Sequence, residues 1–201
     1  MDLVLIRHPA PAIDAGICYG KTDVPLAGHA GQWAQSAQAL AVRLATLGAP
    51  LPQHLVTSPL QRCARLAEGL ATHFDCALGV DARLQEIDFG EWEGQPWAAI
   101  DRAALDAWAA DLRHARMHGG ESVAQFEGRV GAWLDSWASL MAEPGPSVVA
   151  VTHAGVMRVI ASLTLGEPLD AVLKWPLEMA AIVWLRREPG AAAWRLLHWN
   201  V

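Results

Sequence analysis

The chain has 201 residues, 53% of them hydrophobic and 18% charged, which suits one domain with a substantial core and excludes a disordered polypeptide. A formal net charge of −6 argues against a nucleic-acid binder, whose footprint is normally basic, but leaves room for an anion site where a few arginines converge. Three cysteines without CxxC spacing make neither a disulfide framework nor a zinc site. The start MDLVLIRH is no secretory signal, and no apolar run approaches the ~18 residues of a membrane span, so the expectation is a reduced, soluble, cytoplasmic protein.

Leu3 to Ile6 is a continuous apolar run, the pattern of a strand buried on both faces of a sheet. His29 to Leu47 reads as a helix closed by Gly48 and Pro50. His54 to Thr57 is a short strand, after which Ser58 and Pro59 read as N-cap and first residue of a helix reaching Phe74. Val80 to Leu84 is a weaker, mixed strand. Ser122 and Gln125 form a capping box that opens a helix to about Met141. Ser147 to Thr152 is the clearest strand, followed by a helix from Ala154 to Leu165 that Gly166 and Pro168 close. Ala181 to Leu185 and Trp194 to Trp199 make a hairpin through the Glu188–Gly190 turn. The alternation predicts an α/β three-layer sandwich, a mostly parallel central sheet with helices on both faces.

In such sheets ligands bind at the carboxyl ends of the strands. Arg7 and His8 follow the first strand, Arg62 lies one turn into the helix after the second, Glu86 follows the third, and His153 follows the fourth. Two arginines, two histidines and a carboxylate thus meet where one cleft belongs. Phosphoryl transfer wants this set, because its transition state spreads charge over three oxygens and is catalysed chiefly by positioning and electrostatics. Arginine offers phosphate a planar, permanently charged fork, and the helix start after His153 adds free N–H donors. One imidazole can serve as nucleophile, and a carboxylic acid can protonate the leaving oxygen and later activate water.

The segments LIRH at 5 to 8, YGKTDVPLAGHAGQ at 19 to 32, TSPLQR at 57 to 62, LQEIDFGEWEG at 84 to 94, GGES at 119 to 122 and VTHAGVMR at 151 to 158 resemble, in order, the histidine phosphatase (phosphoglycerate-mutase-like) superfamily. The resemblance implies that His8 is phosphorylated, that Arg7, Arg62 and His153 clamp the phosphate, and that Glu86 donates the proton. Tyr19 and Gly20 match positions lining the phosphate pocket, and the resemblance implies no metal and no cofactor. Residues 1–201 then form one domain, with about 92–120 as a small helical lid. The chain departs from the pattern at Pro9, where the usual RHG becomes RHP, and at APAIDAG, which replaces ETxxN. Proline removes an N–H donor, so the N-terminal half of the pocket is expected to differ.

Mutases of the superfamily carry a longer middle insertion and a C-terminal tail, whereas this chain ends at Val201 shortly after its last strand, which favours hydrolysis. Its length and the CYGKTDVPL segment are most similar to the alpha-ribazole phosphatase branch. The partner implied is a small phosphorylated molecule such as alpha-ribazole 5′-phosphate, with neither nucleic acid nor membrane. Two alternatives stay open, a protein phosphatase acting on phosphohistidine or phosphoserine and a non-catalytic phospho-ligand binder. His114 and His118 have helical metal-ligand spacing but lack a third ligand and neighbour Arg113 and Arg116, so they read as a solvated face. Trp92, Trp97 and Trp108 read either as core or as an aromatic wall for a ring-bearing substrate. The sequence does not fix the oligomeric state.

Overall fold

A computed structural model describes residues 1–138 and 146–201. Along β1 (Asp2–Arg7) every residue from Leu3 to Ile6 is fully buried, and successive side chains go to opposite faces of the sheet. Leu3 and Leu5 join Val148, Ala150, Val183 and Leu185 in one core. Val4 and Ile6 join Val149, Val151, Ile182 and Trp184 in the other. The first core is roofed by α4 (Val123–Ala138) and α5 (Ala154–Leu165), through Phe126, Val130, Trp133, Val156, Met157 and Ile160. The second is roofed by α1 (Ala30–Thr46) and α2 (Gln61–Phe74), through Leu40, Leu44, Leu66 and Leu70. This is the three-layer α/β sandwich that the strand and helix alternation implied.

The sheet has the order β3-β2-β4-β1-β5-β6, with β2 (His54–Thr57), β3 (Leu78–Val80), β4 (Ser147–Thr152), β5 (Ile182–Arg186) and β6 (Arg195–His198). β1, β2, β3 and β4 are mutually parallel, and β5 runs against β1 and against β6 in the expected hairpin. Two elements differ from the sequence reading. The third strand ends at Val80, because Ala82–Leu84 turns as a 3-10 helix whose first N–H groups are capped by Asp81, which accepts from Arg83 N at 2.8 Å. The second helix starts at Gln61 rather than Pro59. Asp23 supplies its cap from a distant loop, accepting from Gln61 N at 2.7 Å. The expected box at Ser122 forms, Ser122 Oγ accepting from Gln125 N at 3.2 Å and Gln125 Oε1 from Ser122 N at 2.9 Å. The helix end expected near Met141 lies outside the described residues.

Between Glu86 and Ser122 there is no strand, only two 3-10 turns (Gly90–Trp92 and Trp97–Ala99), the short α3 (Arg102–Ala110) and turns. A small separate core holds this stretch together, made of Cys18, Trp92 and Ile100 with Phe89, Trp97, Leu105 and Trp108 around them.

Candidate active site

Parallel pairing places the two histidines side by side. Arg7 is in register with Thr152, so the next residue on each strand, His8 and His153, leaves the sheet at the same level. His8 N donates to Thr152 O at 3.0 Å, and the two imidazole rings lie 5.2 Å apart. Thr57 is in register with Val151, which brings Ser58 and α2 to the same edge.

His8 is 2% exposed, and its Nδ1 lies 2.7 Å from the Pro9 carbonyl oxygen. A carbonyl can only accept, so Nδ1 carries the proton and Nε2 keeps its lone pair. Burial pushes the His8 pKa down to about 3, and the charges of Arg62 and Arg7 push the same way. The ring is therefore neutral at physiological pH, the state a nucleophile needs. Pro9, which lacks an N–H donor, thus supplies the acceptor that orients the ring.

His153 is fully buried and is also held well below the ordinary histidine range, first by burial and then by Arg62 and His8. Arg62 Nε–H donates to its Nδ1 at 3.2 Å, so Nε2 carries the proton and donates to Ser58 Oγ at 2.8 Å. Ser58 is thereby engaged as the partner of His153 and not as a helix cap. Arg62, also fully buried, donates through Nη1 to Thr22 O at 2.7 Å and through Nη2 to Gly20 O at 2.6 Å, and its guanidinium sits 5.2 Å from the centroid of the Tyr19 ring. Three of its five N–H groups are thus engaged and two remain. Arg62 and His153 are absent from the walls of the cleft.

Glu86 is reached through the 3-10 turn, which Thr152 Oγ1 pins by donating to Leu84 O at 2.8 Å. Its carboxylate accepts from Gly155 N, in the first turn of α5, at 3.0 Å. A Cβ on Gly155 would lie 2.2 Å from Glu86 Oε1, so only glycine allows this approach. Arg129 of α4 fixes the approaching backbone, donating to Arg83 O at 2.9 Å and Gln85 O at 3.0 Å while paired with Glu121 at 2.7 Å. Glu93 does the same for the facing loop. It accepts from Lys21 N at 2.8 Å, Thr22 N at 2.5 Å, Thr22 Oγ1, and Phe89 N at 2.8 Å. A Cβ on Gly20 would lie 2.1 Å from Ile87 O, which explains glycine there.

These elements enclose a cleft of about 270 Å³. Arg7, His8, Tyr19, Gly20, Glu86 and Gly155 form its polar end, while Phe89, Trp97, Trp108, Phe126, Leu169 and Leu173 are among its apolar walls. Trp97 and Trp108 thus line the cleft, whereas Trp92 is 6% exposed and belongs to the small core. His118 is not solvated as the sequence suggested. It is fully buried, its Nδ1 accepting from Gly120 N at 3.0 Å and its ring 4.9 Å from that of Trp92, because the aromatic cluster folds over it. His114 is exposed and bonds Asp111 at 3.1 Å. Among the described residues no group of three His, Cys, Asp or Glu side chains could hold a metal ion, and no helix is long and apolar enough to cross a membrane.

Five residues near the site carried no role in it in the sequence reading, Ser58 having been read there only as a helix cap. Ser58, Glu93 and Arg158 lie inside the quoted motifs without one. Arg129 lies in a plain helical pattern, and Asp23 in the loop that folds onto α2. The strand-end residues Arg7, His8 and His153 and the α2 residue Arg62 come together, Glu86 joins them from the 3-10 turn and not from a strand end, and of the five only Arg7, His8 and Glu86 line the cleft. They form a neutral, oriented imidazole flanked by arginines, with a carboxylate at the cleft wall.

The comparisons with known proteins agree on one family. The chain is 29% identical to a glucosyl-3-phosphoglycerate phosphatase of Mycolicibacterium vanbaalenii, covering 98% of this chain and 93% of that protein. It is 30% identical to a probable phosphoglycerate mutase of Klebsiella pneumoniae, covering 85% of this chain and 78% of that protein. Among solved structures, a mycobacterial glucosyl-3-phosphoglycerate phosphatase in complex with VO3 superposes with a TM-score of 0.80 at 28% identity, covering 99% and 98% of the two chains. An alpha-ribazole phosphatase from Shigella flexneri shares the fold, with a TM-score of 0.82 at 21% identity, covering 100% and 96%. The pattern that defines the histidine phosphatase superfamily (branch 1) matches residues 3–201, and this chain belongs to that superfamily.

Proposed function

We propose that this chain hydrolyses phosphomonoesters of small metabolites without a metal, by way of a phosphohistidine on His8. The observation that carries the reading is the His8 ring, whose Nδ1 is committed to Pro9 O at 2.7 Å and whose Nε2 is left as a neutral nucleophile beside Arg7. In the first step Nε2 attacks phosphorus as the ester oxygen departs, and Glu86 protonates that oxygen. In the second, Glu86 as carboxylate takes a proton from water, which displaces the phosphoryl group from His8 and regenerates the free ring. Arg7 lines the cleft and grips the phosphate directly. Arg62, which does not line it, adds positive charge through a guanidinium with two uncommitted N–H groups. His153, both of whose ring nitrogens are engaged by Arg62 and Ser58, holds Arg62 in place and does not contact the anion itself. A related phosphatase solved in complex with VO3 supports oxyanion binding by this fold.

Tyr19 and Gly20 line the phosphate end, and residues about 92–120 serve as a lid that walls the organic part of the substrate. A concave cleft of this size with aromatic walls suits a small molecule better than a protein segment. Trp97 and Trp108 support a flat or apolar body, such as the base of alpha-ribazole 5′-phosphate. The likeness to alpha-ribazole phosphatases reaches only to the fold, and the similarity to glucosyl-3-phosphoglycerate phosphatases runs at higher identity. Both esters therefore belong in the substrate screen.

The test is turnover of an aryl phosphate in the presence of excess chelator, with acid-labile, base-stable label trapped on the protein. Wild-type activity should survive chelation, and His8→Ala should lose roughly 10⁴-fold or more of it together with the label. Appreciable turnover by His8→Ala would refute the nucleophile, and restoration by magnesium or zinc after chelation would refute metal independence.

A further inference from the structure

His118 packs onto the small aromatic core from a turn, and no step of the reaction above uses it. Its fully buried ring lies edge to face with Trp92 at 4.9 Å, Phe89 at 5.6 Å and Trp108 at 6.4 Å. Phe89 and Trp108 line the cleft, whereas His118 does not. The ring makes one hydrogen bond, its Nδ1 accepting from Gly120 N at 3.0 Å. The proton therefore sits on Nε2, which is buried without a partner, as is the Trp108 indole N–H. The bond to Gly120 is thus what orients the ring. Its turn is in turn tied to the stretch that bears Phe89. His118 O accepts from Glu91 N at 2.9 Å, and Asp88 O accepts from Glu121 N at 2.8 Å. Gly120 is pressed so close that a Cβ there would lie 2.1 Å from Asp88 O.

That one bond depends on the charge of the ring. A protonated imidazole donates from both nitrogens, so Nδ1–H would then meet Gly120 N–H head on. With Gly120 pressed against Asp88, the ring and the aromatic side chains around it have to give way. We propose that His118 is a positioning residue for substrate selection, keeping Phe89 and Trp108 in the cleft wall only while its ring is neutral. The proposal refines the phosphatase reading above, and its kinetic test rests on that reading. Burial holds the ring below its ordinary value near 6.5 and Arg116 adds to this, while Asp88 and Glu93 from the facing stretch oppose it. Lys21 lies 3.5 Å from Asp88 and offsets that carboxylate. Cys18, in the same core, is pushed up to about 12 and stays neutral. Above the His118 midpoint the wall is set. Below it the bond to Gly120 is lost and the wall loosens, while the sheet keeps the phosphate end in place.

The first measurement needs no turnover. Proton–carbon NMR of the imidazoles, with His118 assigned by its absence from His118→Asn, should give a midpoint below 6.5. The Trp108 indole N–H should shift with the same midpoint. A Trp108 signal that ignores the titration, or a His118 ring that stays neutral wherever the fold survives, would overturn the proposal. The second measurement compares 2-phenylethyl phosphate with glycerol 3-phosphate. Both are esters of primary alcohols, so ionisation of the phosphate and of the groups around it cancels in the ratio of kcat/KM. As pH falls through the His118 midpoint that ratio should drop about tenfold, in KM and not in kcat, the scale of one hydrogen bond. His118→Asn keeps an acceptor for Gly120 N that does not ionise, so its ratio should not vary with pH. His118→Phe keeps a ring without an acceptor, so its ratio should be low at every pH. A pH-dependent ratio in His118→Asn, or wild-type discrimination by His118→Phe at neutral pH, would equally overturn the proposal. If neither ester is turned over, the phosphatase reading fails instead, and the NMR titration still decides the role of His118.

Discussion

The two ends of the cleft are built by different physics. At the phosphate end, parallel strands in fixed register deliver His8, His153 and Ser58 to one edge, where hydrogen bonds to Pro9, Arg62 and Ser58 fix both imidazole rings. At the other end no strand contributes, and Phe89, Trp97 and Trp108 are placed by edge-to-face packing at 5.3 to 6.1 Å and by turns. Backbone pairing tolerates little displacement, so the groups proposed to react are tied to the register of the sheet. Aromatic packing admits other side chains of similar volume. Chemistry and selectivity thus rest on parts that can change independently.

The sharpest way to break that contrast is to disable one reacting group and ask whether the other end responds. Glu86→Gln should slow formation of the His8 intermediate by about 10²- to 10⁴-fold for an alkyl phosphate, and far less for an activated aryl phosphate, whose phenolate leaves unaided. Rapid-quench single turnovers isolate that step. An equal loss on both substrates would remove Glu86 from the acid role and direct attention to Asp88, Glu91 and Glu93.

A second pair of variants separates core from wall within the aromatic end. Trp92→Ala, at a 6% exposed position, should lower unfolding free energy by about 3–5 kcal/mol in urea titrations. Trp108→Ala, at a partly buried wall position, should cost less stability and instead raise KM about tenfold for a ring-bearing ester relative to glycerol 3-phosphate. Equal stability losses without any change in selectivity would dissolve the distinction.

The smallest expected effect lies in pH. His8 is held at about 3 and His153 well below the ordinary range by burial, while in the unfolded chain both titrate near 6.5. The unfolded state then binds more protons, so stability is full above pH 6.5 and falls as pH drops toward 3. Each histidine contributes a slope of up to about 1.4 kcal/mol per pH unit in that window. Urea midpoints between pH 6.5 and 5 should show it, and His8→Gln should flatten it. An unchanged slope in that variant would mean that His8 takes up a proton within the fold.

The same contrast explains what could be read before any coordinates. Strand-end residues were legible because apolar runs such as Leu3–Ile6 and Ser147–Thr152 mark their own ends, and the residue after each is at once placed at the carboxyl edge of the sheet. The third strand was misplaced because Ala82–Leu84 is apolar enough for a strand, yet Asp81 caps its N–H groups locally. Ser58 read as a cap, since proximity to His153 depends on the register of β2 with β4. His118 read as solvated because its burial comes from Phe89, Trp92 and Trp108, which contact it from other segments of the chain. Arg158 was visible only as the last letter of VTHAGVMR, since its partnerless Nε is a property of the packed cleft.

One feature of that cleft bears on how it could be altered. The guanidinium groups of Arg7 and Arg158 hang from carbonyls two residues apart, with Pro176 between them. The two cations are mechanically ganged. A change that shifts this stretch, whether at Trp175, at Trp199 or in the stretch itself, moves both together. Only a substitution at one of the two arginines themselves changes one without the other.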